Sequence, residues 1–138
     1  MRGLKIVLWI TGVLCFLSVV GVFLPVSTWS SITEFFGAEV IPESPMIEYM
    51  IRLMSATYVG VGIYFIILAL DPLKYGVLVP FAGVASLLLG IICAVTGMIV
   101  KMPLMWFLGD AIPCIVLGIL ILVLWQQAKK AVQASNQN

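Results

Sequence analysis

The sequence contains no histidine and few charged residues, and both absences limit what the chain can do. Without histidine, the chain lacks the commonest metal ligand and proton shuttle, and a Ser-His-Asp catalytic triad is impossible. Charged residues make up 9% of the chain, whereas a soluble domain carries about 25%. An ordinary water-soluble globule is therefore excluded. The net charge of +1 leaves no basic field for a nucleic acid partner.

Cysteine is also scarce. Cys15, Cys93 and Cys114 each lie inside an apolar run, and no two have the spacing of a C-x-x-C redox motif. We interpret them as small packing residues. The nucleotide-binding, metalloprotease and nucleophile-elbow motifs are absent as well. We therefore predict that the protein is not an enzyme and that it uses no cofactor and no metal.

Hydrophobic residues, in contrast, make up 63% of the chain. They form four runs that each approach or exceed the ~20 residues an α-helix needs to cross a bilayer. The first run ends at Leu24-Pro25 rather than at a small-residue cleavage site, which favours a retained span over a signal peptide. We predict an all-α membrane protein: an antiparallel four-transmembrane-helix bundle in a single membrane domain, 1–138. The predicted spans are about 5–24, 46–70, 77–100 and 104–125.

The remaining segments are connections and a polar tail over 126–138. A short interfacial helix is expected between spans 1 and 2, at about 29–36, because Trp29, Ile32, Phe35 and Phe36 share one face at helical spacing. Ser27 or Thr28 would cap this helix and Gly37 would end it. Aromatic residues beside Ser and Glu suit the headgroup layer.

The distribution of positive charge predicts the orientation. With four spans, the side that holds both termini carries five cations, whereas the other side carries two, Arg52 and Lys101. The positive-inside rule then places both termini in the cytoplasm. The five are Arg2, Lys5, Lys74, Lys129 and Lys130.

Small residues mark the surfaces on which the helices are expected to pack, since helices in lipid associate by close fit. Span 2 carries Ala56-x-x-x-Gly60. Span 3 has a longer stripe with gaps of three and four residues, which predicts one continuous helix-packing groove. A bound lipid or hydrophobic ligand, or a homodimer interface, is the alternative occupant of that groove. Its residues are Gly83, Ser86, Gly90, Ala94 and Gly97.

Two charges at membrane depth are the candidate functional residues. Arg52 lies seven residues after Pro45, and Asp110 lies seven residues after Pro103, at the starts of spans 2 and 4 on the same side. Both are therefore about 10 Å below their helix starts. Burying a charge in a span costs about 2.5–3.5 kcal/mol, so we expect an Arg52–Asp110 ion pair, with Glu48 sharing the guanidinium at i,i+4. The pair is a structural link between spans 2 and 4 or the polar floor of an outward-opening ligand site. The third alternative is that both side chains extend to the interface without contact.

Several segments resemble small bacterial four-span membrane protein families of unknown function, the BphX-like and DoxX-like groups. They are residues 1–5, the short helix ending at Gly37, RLMSATYVGVG at 52–62, DPLKY at 71–75 and WFLGD at 106–110. The resemblance implies a helical bundle in a bacterial inner membrane and no defined activity. Small multidrug transporters are similar in length and span number, but they use a glutamate within their first span, and span 1 here is uncharged.

The leading functional hypothesis is a non-enzymatic integral membrane protein of a bacterial inner membrane. It would act as an accessory subunit or as a binder of a lipid or hydrophobic ligand. Its partners would be membrane lipids and a homodimer or larger membrane complex. The alternative is a small dimeric proton-coupled transporter or channel that uses Asp110.

Overall fold

The computed structural model describes residues 2–35, 37, 42, 44–102 and 104–135. Phe36, Pro103 and the last three tail residues, which entered the sequence predictions, lie outside these described residues. Within them, α-helices are the only regular secondary structure. They are α1 (Arg2–Phe16), α2 (Val19–Phe23), α3 (Val26–Phe35), α4 (Pro45–Leu70), α5 (Leu78–Ile99) and α6 (Leu104–Ser135).

Four segments are long and apolar enough to cross a bilayer. Their mean hydropathy lies between 2.0 and 2.6, and each exceeds the ~20 residues that a span requires. The predicted fold class, an all-α membrane protein with four transmembrane helices, is confirmed. The segments are Arg2–Phe23, Pro45–Leu70, Leu78–Ile99 and Phe107–Gln133.

The first span is interrupted, whereas the sequence predicted one continuous helix. The Ser18 hydroxyl donates a hydrogen bond to the carbonyl oxygen of Cys15 at 2.6 Å, and the Ser18 backbone N–H donates to the same oxygen at 3.1 Å. Serine that bonds its own backbone in this way competes with the regular helical hydrogen bonds and bends helices. α1 therefore ends at Phe16, and α2 resumes at Val19.

Two helix boundaries also differ from the prediction. α3 starts at Val26, because Leu24 has the extended backbone that a residue before proline prefers and the helix begins directly after Pro25. α6 continues past Trp125 into the predicted polar tail as far as Ser135. Trp125 and Ala128 are 6% and 1% exposed, so one face of this extension is packed rather than solvated.

The chain divides into two compact units. Unit 1 comprises Met1–Trp9 and Ile67–Asn138, and unit 2 comprises Ile10–Ile66. In unit 1, α5 and α6 are antiparallel, since a Cβ on Gly83 would meet Leu122 and a Cβ on Gly90 would meet Ile115. The core of this unit is built from small and branched side chains, which suits close packing of helices in lipid. Its most buried hydrophobic residues are Leu4, Leu8, Leu68, Ala69, Val79, Ala111, Ile121 and Ala128.

In unit 2, α1 and α2 pack antiparallel to α4 through glycines. A Cβ on Gly62 would lie 2.6 Å from the backbone nitrogen of Phe16 and 2.8 Å from the carbonyl oxygen of Gly12, so the two backbones touch. Further along, the Ser18 hydroxyl also lies 3.1 Å from the carbonyl oxygen of Ser55. Ser55 is the buried polar residue of this unit, at 8% exposed. Ser18, which interrupts span 1, therefore also contacts the backbone of α4.

Candidate functional site

Arg52 is held by its neighbour on α4. Its guanidinium lies 2.5 Å from a carboxylate oxygen of Glu48, one helical turn earlier, and both side chains are about half exposed. Glu48 also lines a pocket of about 330 Å³ of mixed polar and apolar character, together with Ser27 and Ser44. In unit 2, Arg52 is therefore neutralised locally by an i,i+4 pair. Asp110 belongs to unit 1, and its pairing with Arg52 stays a prediction.

Asp110 lies at the edge of a small apolar cleft in unit 1, between the end of α5 and the first turns of α6. We call it the Asp110 cleft. Its volume is about 330 Å³, which is at the lower end of the range for small-molecule sites. Among the described lining residues, Asp110 alone carries a formal charge. The cleft is lined by Ile92, Cys93, Thr96, Gly97, Met102, Phe107 and Asp110.

The turn between α5 and α6 shapes this cleft. The Met102 N–H donates to the Gly97 carbonyl oxygen at 3.0 Å, and the Lys101 N–H donates to that of Met98 at 3.3 Å. These are the two hydrogen bonds of a Schellman helix end. Lys101 occupies the left-handed position, with φ of 56°, which is normally taken by glycine. The turn brings Met102 back over Gly97, and both residues line the cleft.

Asp110 has no positive partner within the described part of unit 1. Lys101 and the other cations of that unit form no ion pair there, and the Asp110 side chain is exposed. The carboxylate lies six residues into α6 from Leu104, or about 9 Å along the axis. A charge at that depth in a span costs free energy unless something compensates it.

The predicted helix-packing groove of span 3 faces α6. Gly83, Gly90 and Gly97 are buried, and Ser86 and Ala94 are half-buried. A Cβ on Gly90 would come within 2.7 Å of the Ile115 side chain and 3.0 Å of the Ala111 carbonyl oxygen. At Gly83 and Gly90, this surface is therefore occupied by α6 of the same chain rather than open to a ligand or a second copy, whereas Gly97 lines the Asp110 cleft.

In span 2, the small residue that packs against a neighbouring helix is not one of those predicted from the sequence. Ala56 and Gly60 are exposed, and a Cβ on Gly60 would have no neighbouring atom within 4 Å. The contact is made instead by Gly62, which sequence reasoning missed. On span 1, a Cβ on Gly12 would lie 2.7 Å from the Ile66 side chain of α4, a pairing that spacing alone does not specify.

The cleft around Asp110 was not predicted either. Sequence reasoning identified Asp110 by its charge but not Thr96, Met102 or Phe107, which line the cleft with it. In the sequence, these three residues have in common only that they are close to the short connection between spans 3 and 4. Among the described residues, no group of three or more metal-ligating side chains is found.

Comparison with family models, with curated proteins and with solved structures finds no match to this chain.

Proposed function

We propose that the protein is a non-enzymatic membrane protein that binds a lipid-like amphiphile in the Asp110 cleft. It would act alone or as an accessory subunit of a larger membrane complex. The observation that carries this proposal is a single carboxylate at the edge of an otherwise uncharged, mainly apolar cleft. Such a site accepts a hydrocarbon segment and one hydrogen-bond donor or cationic group.

The surroundings of the carboxylate support an amphiphile over a polar solute. Ile92 is 59% exposed beside the cleft, and its helix is one of the four spans, so the cleft opens toward lipid. A water-soluble solute would have to leave water to reach it, whereas an acyl chain is already there. An ammonium or hydroxyl group on the ligand would compensate the charge of Asp110 by a charge-assisted hydrogen bond.

Native mass spectrometry of the full chain from nanodiscs tests the proposal. The probe is phosphatidylethanolamine, with phosphatidylcholine of the same acyl chains as the competitor without a donor group. We expect retained phosphatidylethanolamine, reduced at least threefold by Asp110→Asn and abolished by Ile92→Trp, which fills the cleft. Ile91→Trp is the matched control, because Ile91 is similarly exposed at 51% and does not line the cleft.

Two outcomes would overturn this proposal. The first is a wild-type chain that retains neither lipid, or both lipids equally. The second is an Asp110→Asn variant that keeps its lipid, and a lower unfolding temperature in that variant would then make Asp110 a structural residue.

A dimeric proton-coupled transporter or channel is the second candidate. It is favoured by the same carboxylate, because an acid within a span and without a cation from its own unit is suited to bind and release a proton. Proton flux into proteoliposomes separates the two functions. The transporter hypothesis requires flux that Asp110→Asn abolishes, and an unchanged flux in that variant ends it.

A further inference from the structure

A second groove lies at the opposite end of unit 1 from the Asp110 cleft. It runs between the start of α5 and the last turns of α6 and has a volume of about 400 Å³. We call it the Trp125 groove. One wall is apolar and is formed by residues just before α5 and at its start. The other wall is formed by residues on one face of α6. Its lining includes Leu73, Val77, Pro80, Trp125, Lys129 and Val132.

The α6 wall combines an aromatic ring with a cation. The Lys129 ammonium lies 5.8 Å from the centroid of the Trp125 ring, and Trp125 is 6% exposed, so the ring is a fixed support for the flexible lysine. Beyond Trp125 the sequence turns polar, with Gln126 and Gln127. Tryptophan followed by lysine at the end of a span is typical of the membrane–water interface.

Further cations surround this end of unit 1. The Lys74 ammonium lies 6.0 Å from the Tyr75 ring centroid, and that of Lys5 donates to the Leu70 carbonyl oxygen at 3.1 Å. Asp71 is the acid of this region, and its carboxylate accepts the Lys74 backbone N–H at 3.3 Å. In the described part of unit 1, neither Lys74 nor Lys129 has an ion-pair partner. The groove therefore lies in a region with excess positive charge.

We infer that the Trp125 groove binds an anionic phospholipid. Its phosphate lies at Lys129, and one acyl chain follows the apolar wall formed by Leu73, Val77 and Pro80. Charge complementarity selects this occupant. A net negative headgroup is attracted to the unpaired lysines, whereas a zwitterionic headgroup would bring a cation of its own. This site is separate from the Asp110 cleft, and neither proposal depends on the other.

Adjacent lysines on α6 provide a matched test of the headgroup contact. Lys129 lines the groove, whereas Lys130 has the same charge, is also exposed and does not line it. The full chain is placed in nanodiscs with equal amounts of phosphatidylglycerol and phosphatidylcholine of identical acyl chains, and retained lipid is counted by native mass spectrometry. We expect phosphatidylglycerol to be enriched at least threefold, and Lys129→Gln to remove most of that enrichment. Lys130→Gln should change it by less than a factor of two.

A second variant tests the acyl-chain contact. Val77 is 82% exposed, so Val77→Trp should fill the groove without disturbing the core, and we expect it to reduce retained phosphatidylglycerol at least threefold. Val84→Trp is the control, because Val84 is exposed on the same helix, at 46%, outside the groove.

The inference is overturned if the two lipids are retained equally. It is also overturned if both lysine variants lower the enrichment to the same extent, which would indicate diffuse attraction to a basic surface. Retention that Val77→Trp leaves unchanged would contradict the acyl-chain contact.

Discussion

At the level of single residues, the end of α5 carries a conformation that its side chain does not favour. Lys101 has φ of 56°, a left-handed geometry that costs an L-residue about 1–2 kcal/mol. Glycine adopts it freely. The strained residue is next to Met102, which lines the Asp110 cleft. The two backbone hydrogen bonds of the turn hold Lys101 in this geometry and fix one edge of that cleft.

Lys101→Gly should stabilise the protein by about 1 kcal/mol, because it removes the Cβ from the left-handed position. The measurement is the midpoint of thermal unfolding in detergent. Lys101→Ala is the control, since it removes the same charge but keeps the Cβ, and it should not raise the midpoint. Equal gains in both variants would attribute the effect to charge instead of backbone strain.

The Arg52–Glu48 pair should contribute little to stability, because both side chains are about half exposed, at 49% and 44%. A double-mutant cycle with Arg52→Gln and Glu48→Gln should give a coupling of about 0.3–0.5 kcal/mol in the free energy of unfolding. A parallel cycle with Asp110→Asn measures the predicted Arg52–Asp110 pair. A coupling there above about 1 kcal/mol would identify Asp110 as the main partner of Arg52.

At the level of helices, contact depends on which glycine faces the neighbouring backbone. Gly60 and Gly62 are both on α4, two residues apart, and point to different sides of the helix. Gly62 is buried against Phe16 and Gly12, whereas Gly60 has open space where a Cβ would be. Small residues that let two backbones approach closely favour helix association in lipid, so of these two glycines Gly62 is the one that packs α4 against α1.

Gly62→Ala should therefore cost about 1–3 kcal/mol of unfolding free energy, since the atoms a Cβ would meet include the backbone nitrogen of Phe16, which cannot move independently. Gly60→Ala is the matched control, and its effect should range from neutral to a gain of about 1 kcal/mol from helix propensity. Both are measured as thermal or denaturant unfolding in the same detergent. Equal destabilisation by the two variants would contradict the assigned packing face.

At the level of the whole molecule, the cations are unevenly distributed along the four spans. Five of the seven lie on the side that holds both termini when spans 1 to 4 alternate in direction, and Arg52 and Lys101 lie on the other. Such a bias orients a multi-span protein with its positive side in the cytoplasm. The Trp125 groove, with Lys129, would then meet the cytoplasmic leaflet, which is rich in anionic lipid.

Cysteine labelling on intact cells tests this orientation. In a background that lacks Cys15, Cys93 and Cys114, a membrane-impermeant maleimide should label Lys101→Cys directly. Lys130→Cys should be labelled only after the membrane is permeabilised. The reverse pattern would place both termini outside and would contradict the predicted orientation.

Much of the fold could be predicted from the sequence, and much of the site could not. The four spans follow from local hydropathy, and the start of α4 at Pro45 follows from the helix preference of proline for the first position. The break at Ser18 was missed because the sequence does not distinguish Ser18 from Ser86, whose hydroxyl also bonds a carbonyl oxygen of its own helix, that of Ala82, without interrupting α5. The extension of α6 was missed because Gln126 and Lys129 look like a solvated tail, whereas Ala128 is buried.

The sequence by itself determined the number and helical nature of the spans, because a bilayer requires a long apolar run whose backbone bonds are satisfied internally. It also identified Arg52 and Asp110, since charges are rare and costly at that depth. Only the tertiary structure decided that Gly62 rather than Gly60 contacts α1, and that Phe107 and Met102 meet Asp110 in one cleft. The cleft depends on the distance between α5 and α6, and the choice between Gly60 and Gly62 depends on which face of α4 is covered. Local periodicity does not specify either.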